Sequence, residues 1–83
     1  MSTEEILLRS ELPGTTQTVT MDSGGNPTSI VHAKNGSIVR TDAFTWSANS
    51  VVETRTADGK YITITTNLIT LASTISEIQE VNI

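Results

Sequence analysis

Two dipeptides, Asn35-Gly36 and Asp58-Gly59, constrain the fold of this chain more than any other feature in it. Both lie between stretches in which β-branched and polar residues alternate. Asn-Gly and Asp-Gly suit a two-residue type I′ hairpin, because both central residues take positive φ there. One hairpin is therefore expected from Thr28–Lys34 and a strand running from Ser37 to about Ser47. A second is expected from Val51–Ala57 and a strand from Lys60 to about Asn67. Upstream, Thr15–Met21 reads as a further strand, and two glycines and a proline in Asp22–Pro27 end it. Ala48-Asn49 supplies a weaker turn. The expected fold is mainly β, an antiparallel meander of about five strands over residues 15–67 within one small domain spanning 1–83.

The ends of the chain read differently. Thr3–Leu12 places Thr3 as an N-cap ahead of Glu4 and Glu5, with Ile6, Leu8 and Leu12 apolar and Pro13-Gly14 as a stop, which predicts a short N-terminal helix. Near the C-terminus Leu68, Leu71, Ile75 and Ile78 follow 3, 4, 3 spacing, the rhythm of a packed helix face. Thr70, Ser73, Thr74 and Ser76 in the same stretch are poor helix formers, so a C-terminal helix and an extra strand both remain open. Residues 1–14 and 68–83 are the expected docking segments.

A hairpin turn fixes register, and register fixes faces. The Asn35-Gly36 turn sets Ala33 opposite Ile38, His32 opposite Val39 and Val31 opposite Arg40, and across the next pair Asp42 faces Arg55. One face then gathers Val31, Ala33, Ile38, Phe44, Trp46, Val51, Ile62 and Ile64 together with Arg40, Asp42, Glu53 and Arg55. The other carries Ile30, His32, Val39, Thr41, Ala43, Thr45, Val52, Thr54, Thr56, Tyr61, Thr63 and Thr65, a ladder of threonines. A self-sufficient antiparallel sheet has one oily face and one wet one, and neither face here is cleanly apolar.

Composition sharpens that mismatch. The chain has 83 residues, 36% of them hydrophobic, with one Phe, one Trp and one Tyr. Ordering each residue costs about 1.5 kcal/mol, and a short chain buries too little surface to offset this easily. Cysteine is absent and His32 is the single histidine, which excludes disulfides and a thiolate or multi-histidine zinc site. Association with another subunit is the support that remains. The formal charge of −4, with only Arg9, Lys34, Arg40, Arg55 and Lys60 as cations, gives no basic stripe for nucleic acid. The longest apolar runs are too short to span a bilayer, and Thr3, Glu4 and Glu5 do not open a secretory signal.

No constellation commits the chain to catalysis, a metal or a cofactor. His32 sits mid-strand without a G-x-S-x-G serine nearby, and reads as a strand histidine bonded to a threonine. Asp42 and Glu53 lie diagonally on neighbouring strands, but Arg55 is the expected partner of Asp42 and a meander offers no cleft. Asp22–Asn26 lacks the alternating acids and closing Glu of a calcium loop. Trp46 and Tyr61 fall on opposite faces, so they make no single platform for a sugar, although Trp46 with the charged cluster leaves a small carbohydrate- or peptide-binding module as the alternative reading.

The segment from Ile38 to Asn67 resembles a β-rich pattern of small virion proteins of tailed bacteriophages, associated with tail, baseplate or fibre. The resemblance rests on Arg40, Thr41, Asp42, Phe44, Thr45, Trp46, Glu53, Thr54, Arg55, Thr56, Gly59 and the run Ile62–Thr66. It implies a non-catalytic structural part present in many copies, located in the virion and bound to copies of itself or to a larger virion protein. The candidate interface residues are Ile6, Leu8, Leu12, Phe44, Trp46, Ile62, Ile64, Leu68, Leu71, Ile75 and Ile78. A glycan is the alternative partner; no nucleic acid and no membrane is expected.

Overall fold

In the computed structural model, which describes residues 1–81, the chain forms one antiparallel sheet with a short helix laid against it. Helix α1 (Thr3–Leu8) precedes β1 (Thr16–Met21), β2 (Pro27–Lys34), β3 (Ser37–Trp46), β4 (Ser50–Ala57), β5 (Lys60–Asn67), β6 (Ser73–Ile75) and β7 (Gln79–Glu80). The strands follow one another as a meander, β1-β2-β3-β4-β5-β6, and β7 returns to β5 beyond the end of β6. Residues 82 and 83 of the expected C-terminal docking segment lie outside the described residues.

Both hairpin signals hold. Asn35 and Gly36 have φ of 53° and 80°, and Asp58 and Gly59 have 51° and 71°, the paired positive values that a type I′ turn needs. The loop before β2 is closed by Asp22, whose carboxylate Oδ1 accepts from the Gly24 and Asn26 amides at 2.8 and 2.9 Å. This is an Asx-type turn.

The β2–β3 register differs from expectation. Ala33 does pair with Ile38, but His32 pairs with Arg40 and Val31 with Thr41, so Val39 is the extra residue of a β-bulge. A slip of one residue exchanges the faces of the rest of β2. His32 and Ile30 therefore lie with Arg40 and Asp42, and Val31 joins the threonines. The bulge brings the imidazole beside a buried carboxylate, where an in-register strand would have put it among exposed hydroxyls. Asp42 does face Arg55, as expected, in the β3–β4 ladder.

Two end segments also depart from the sequence reading. The N-cap is Ser2, not Thr3: its hydroxyl accepts from the Glu5 amide while the Glu5 carboxylate accepts from the Ser2 amide, a reciprocal capping box. The helix ends at Leu8, and Leu12 belongs to the extended segment that follows it. The C-terminal helix does not form. Asn67 Oδ1 accepts from the Ile69 and Thr70 amides at 2.8 and 3.0 Å, and Leu71 takes φ of 65°, which turns the chain back along β5. Ile75 then pairs with Ile64 and Thr74 with Thr65. The apparent 3, 4, 3 spacing is spread over a turn, the end of β6 and the link to β7.

The core is small. Leu7, Leu12, Ala57 and Ile62 are the buried hydrophobics, with Ile6 and Ile64 packed against the cluster of Leu7, Ala57 and Ile62. All of it lies on one face of the sheet, beneath α1 and the segment after it. The opposite face carries Thr18, Val31, Thr41 and Thr56 in one row and Ser29, Ala43, Thr54 and Thr63 in the next.

Candidate functional site

The covered face centres on charge. Arg40, Asp42, Arg55 and His32 are all buried, Arg40 and His32 to within 1% and 2% exposure. They sit there because β3 and β4 each carry an oppositely charged pair two residues apart, Arg40 with Asp42 and Glu53 with Arg55, and side chains two apart on a strand share a face. Arg40 grips Asp42 with two donors, Nε to Oδ1 at 2.7 Å and Nη2 to Oδ2 at 3.0 Å. Arg55 does the same to Glu53 less tightly, Nε to Oε2 at 3.0 Å and Nη2 to Oε1 at 3.4 Å. The ion pair expected between Asp42 and Arg55 is not made, because each guanidinium takes the carboxylate on its own strand and turns its remaining donors outward.

Those donors meet the backbone of the N-terminal segment. Arg40 Nη1 donates to the carbonyls of Ile6, at 2.7 Å, and Arg9, and its Nη2 reaches that of Ser10 at 3.4 Å. Arg55 Nη1 lies 3.1, 3.2 and 3.3 Å from the carbonyls of Leu7, Leu8 and Arg9. Five consecutive carbonyls are thus held by two side chains at least 30 residues away. A helix leaves its last carbonyls without intrahelical partners, and its C-terminus carries partial negative charge. Helix α1 has no basic residue in its own last turn, and the sheet supplies the cations instead. All five guanidinium donors of Arg40 are satisfied in this way.

His32 completes the cluster. Its Nε2 donates to Asp42 Oδ2 at 2.9 Å and lies 3.3 Å from Arg40 Nη2, while Nδ1 is buried with no hydrogen-bond partner. With the proton on Nε2, the unpartnered atom is a lone pair and not a stranded N–H. The bland expectation of a histidine bonded to a threonine is thereby replaced: His32 orients the carboxylate that orients Arg40.

The remaining candidate residues divide. Ile62 and Leu12 are buried within the chain and, with Ile6 and Ile64 packed inward, form its own core; as interface candidates these four are already engaged. Phe44 and Trp46 are half-buried and stacked, ring centroids 6.5 Å apart, and the Trp46 indole N–H donates to the Pro27 carbonyl at 2.7 Å. Tyr61 lies on the other face, opposite Thr56. Leu8, Leu68, Leu71, Ile75 and Ile78 are exposed, between 37% and 73%. Sequence reasoning missed the arginines as anchors. The signal was present in the R-x-D and E-x-R pairs on adjacent strands, whose charges share a face that also carries the large apolar residues.

Among the described residues no cavity is formed, no cluster of acids and histidines is disposed to hold a metal, and no helix is long and apolar enough to cross a membrane. What this arrangement performs chemically is attachment, fastening a backbone segment to a sheet. Comparison with protein-family models, curated proteins and solved structures finds no match.

Proposed function

We propose that the chain is a non-catalytic structural component of a bacteriophage particle, associated with the tail, baseplate, fibre or capsid and acting through protein contacts. The observation that carries the reading is the balance of its apolar surface. Among the described residues only Leu7, Leu12, Ala57 and Ile62 are buried hydrophobics, whereas Val19, Met21, Ile38, Ile69, Leu71 and Ile75 are each about half exposed or more. The accessible surface of 5542 Å² also exceeds the roughly 4,800 Å² expected of a monomer of this mass. Such a surface is suited to completion by neighbours. The likeness of Ile38–Asn67 to phage virion proteins supplies the setting.

The stacked Phe44 and Trp46, with the indole N–H already engaged, support a packing role for both rings, and no observation favours a glycan. The test is the particle itself. Immunogold labelling of gradient-purified phage from the genome that encodes this chain, with copy number from quantitative mass spectrometry, is expected to place it there at fixed stoichiometry. A chain confined to the soluble fraction of the infected cell overturns the proposal.

A further inference from the structure

We propose that copies of this chain join head to tail, the free edge of β1 on one copy pairing with the free edge formed by β6 and β7 on the next. The inference rests on the structural reading above and names the partner and the surface.

Natural sheets blunt their edges with lysine, proline, bulges or cover, since an open edge is a template for another strand. Strand β1 does little of this. All six of its residues, Thr16–Met21, are exposed; none is charged and none is proline, and its register is regular as far as Thr20. The opposite edge is nearly as bare. β6 and β7 both run antiparallel to β5, and Ser76 and Val81 also donate to β5-side carbonyls, Thr63 and Gly59, at 2.9 and 2.8 Å. Residues 73–81 therefore form one edge with a break in it.

Three features make the two edges complementary. The meander from β1 to β6 contains an even number of strands, so β6 runs opposite to β1. A second copy placed alongside, with β1 against β6, continues the antiparallel alternation without inverting the sheet. Val19, opposite Ile30, and Ile75, opposite Ile64, are 48% and 55% exposed and stand on the same face, the one α1 covers, so the junction brings apolar to apolar. The C-terminal edge carries Glu77 and Glu80 and no cation, while on the other side exposed Lys34 ends β2 beside the start of β1, at the end of the sheet where Glu80 lies. A head-to-tail contact leaves a free edge at each end, and repeated it closes into a ring or extends as a filament.

The test uses two surface variants of the full chain, Val19→Lys and Ile75→Lys, with circular dichroism to confirm that each is folded. Wild type is expected to sediment as an oligomer and each variant alone as a monomer. Mixed at equal concentration, the variants are expected to give a species of twice the chain mass and no larger, because each retains the edge the other has lost. A wild-type monomer, a single variant that still assembles, or a mixture that stays monomeric overturns the contact. Failure of the contact in a chain that still labels the particle leaves the structural role standing; complementing variants from a chain absent from the particle do the reverse.

Discussion

Arg40 shows how much of this fold hangs on single side chains. Its guanidinium satisfies the buried Asp42 carboxylate and three backbone carbonyls at once, and removing it leaves Asp42 a buried charge with its main partner gone. Losing one member of a buried, hydrogen-bonded ion pair costs about 3–5 kcal/mol. That is a large part of the 5–15 kcal/mol typical of a whole domain. Arg40→Met is expected to lose about that much in urea denaturation, and Arg40→Lys to recover little, since an ammonium cannot span the carboxylate and the carbonyls together. An Arg40→Lys chain as stable as wild type would show that the fork geometry is not required. Sequence reading placed Arg40, Asp42, Glu53 and Arg55 on one face correctly, because strand alternation fixes that. It misplaced His32, because a bulge at Val39 has no local signature: neither Val39 nor its neighbours is a glycine or proline. What accompanies the bulge is a nonlocal contact, the imidazole seated against Asp42.

At the scale of elements, the hairpins were the most legible part, since their turns depend on φ at two adjacent residues and few sequences tolerate it. Gly36→Val and Gly59→Val are each expected to cost about 1–2 kcal/mol or more, because a β-branched residue at φ near 80° or 71° is strained. For a chain of this size that corresponds to a fall of several degrees in Tm. The ends were less legible for opposite reasons. Helix α1 was visible in the acidic first turn but one residue out at its cap, since Ser2 and Thr3 can both cap a helix and the reciprocal bond to Glu5 is made by Ser2. The Glu5 carboxyl is held below its ordinary value of 4.5, chiefly by the Ser2 backbone N–H and next by its hydroxyl. A depressed folded value means that this contribution is complete above 4.5 and is lost as pH falls through the lowered value. The stability gap between wild type and Ser2→Ala is therefore expected to narrow on acidification below that range, with the Glu5 midpoint in an NMR titration rising toward 4.5 in the variant. A gap constant with pH would separate the cap from the charge. The C-terminal stretch misled because spacing alone does not distinguish a helix from a turn followed by strands, and the deciding contact, Asn67 with two amides ahead of it, is a side-chain bond that periodicity does not encode.

For the molecule as a whole, the N-terminal segment roofs the hydrophobic core of the described residues. Removing residues 1–12 strips Leu7 and Ile6 from the hydrophobic cluster, takes away buried Leu12, and leaves two buried guanidiniums facing solvent where five carbonyls had been. Such a truncated chain is expected to lose its cooperative melt in calorimetry, and a cooperative transition near the wild-type Tm would show that the sheet stands without its cover. The shortage of oily bulk was plain from composition, yet how the chain copes with it was not. It seats the segment with hydrogen bonds to charged groups and leaves much of its apolar surface outside. Because Arg40 and Arg55 bind carbonyl oxygens, the side chains of Leu8, Arg9 and Ser10 have little part in the grip and stay exposed. The same geometry imposes an order in time. A helix of six residues does not persist alone, and the groups that hold it are not synthesised until β3 and β4 exist. Made before the strands that hold it, this segment must therefore wait, unstructured, until residue 55 has emerged before it can be locked down.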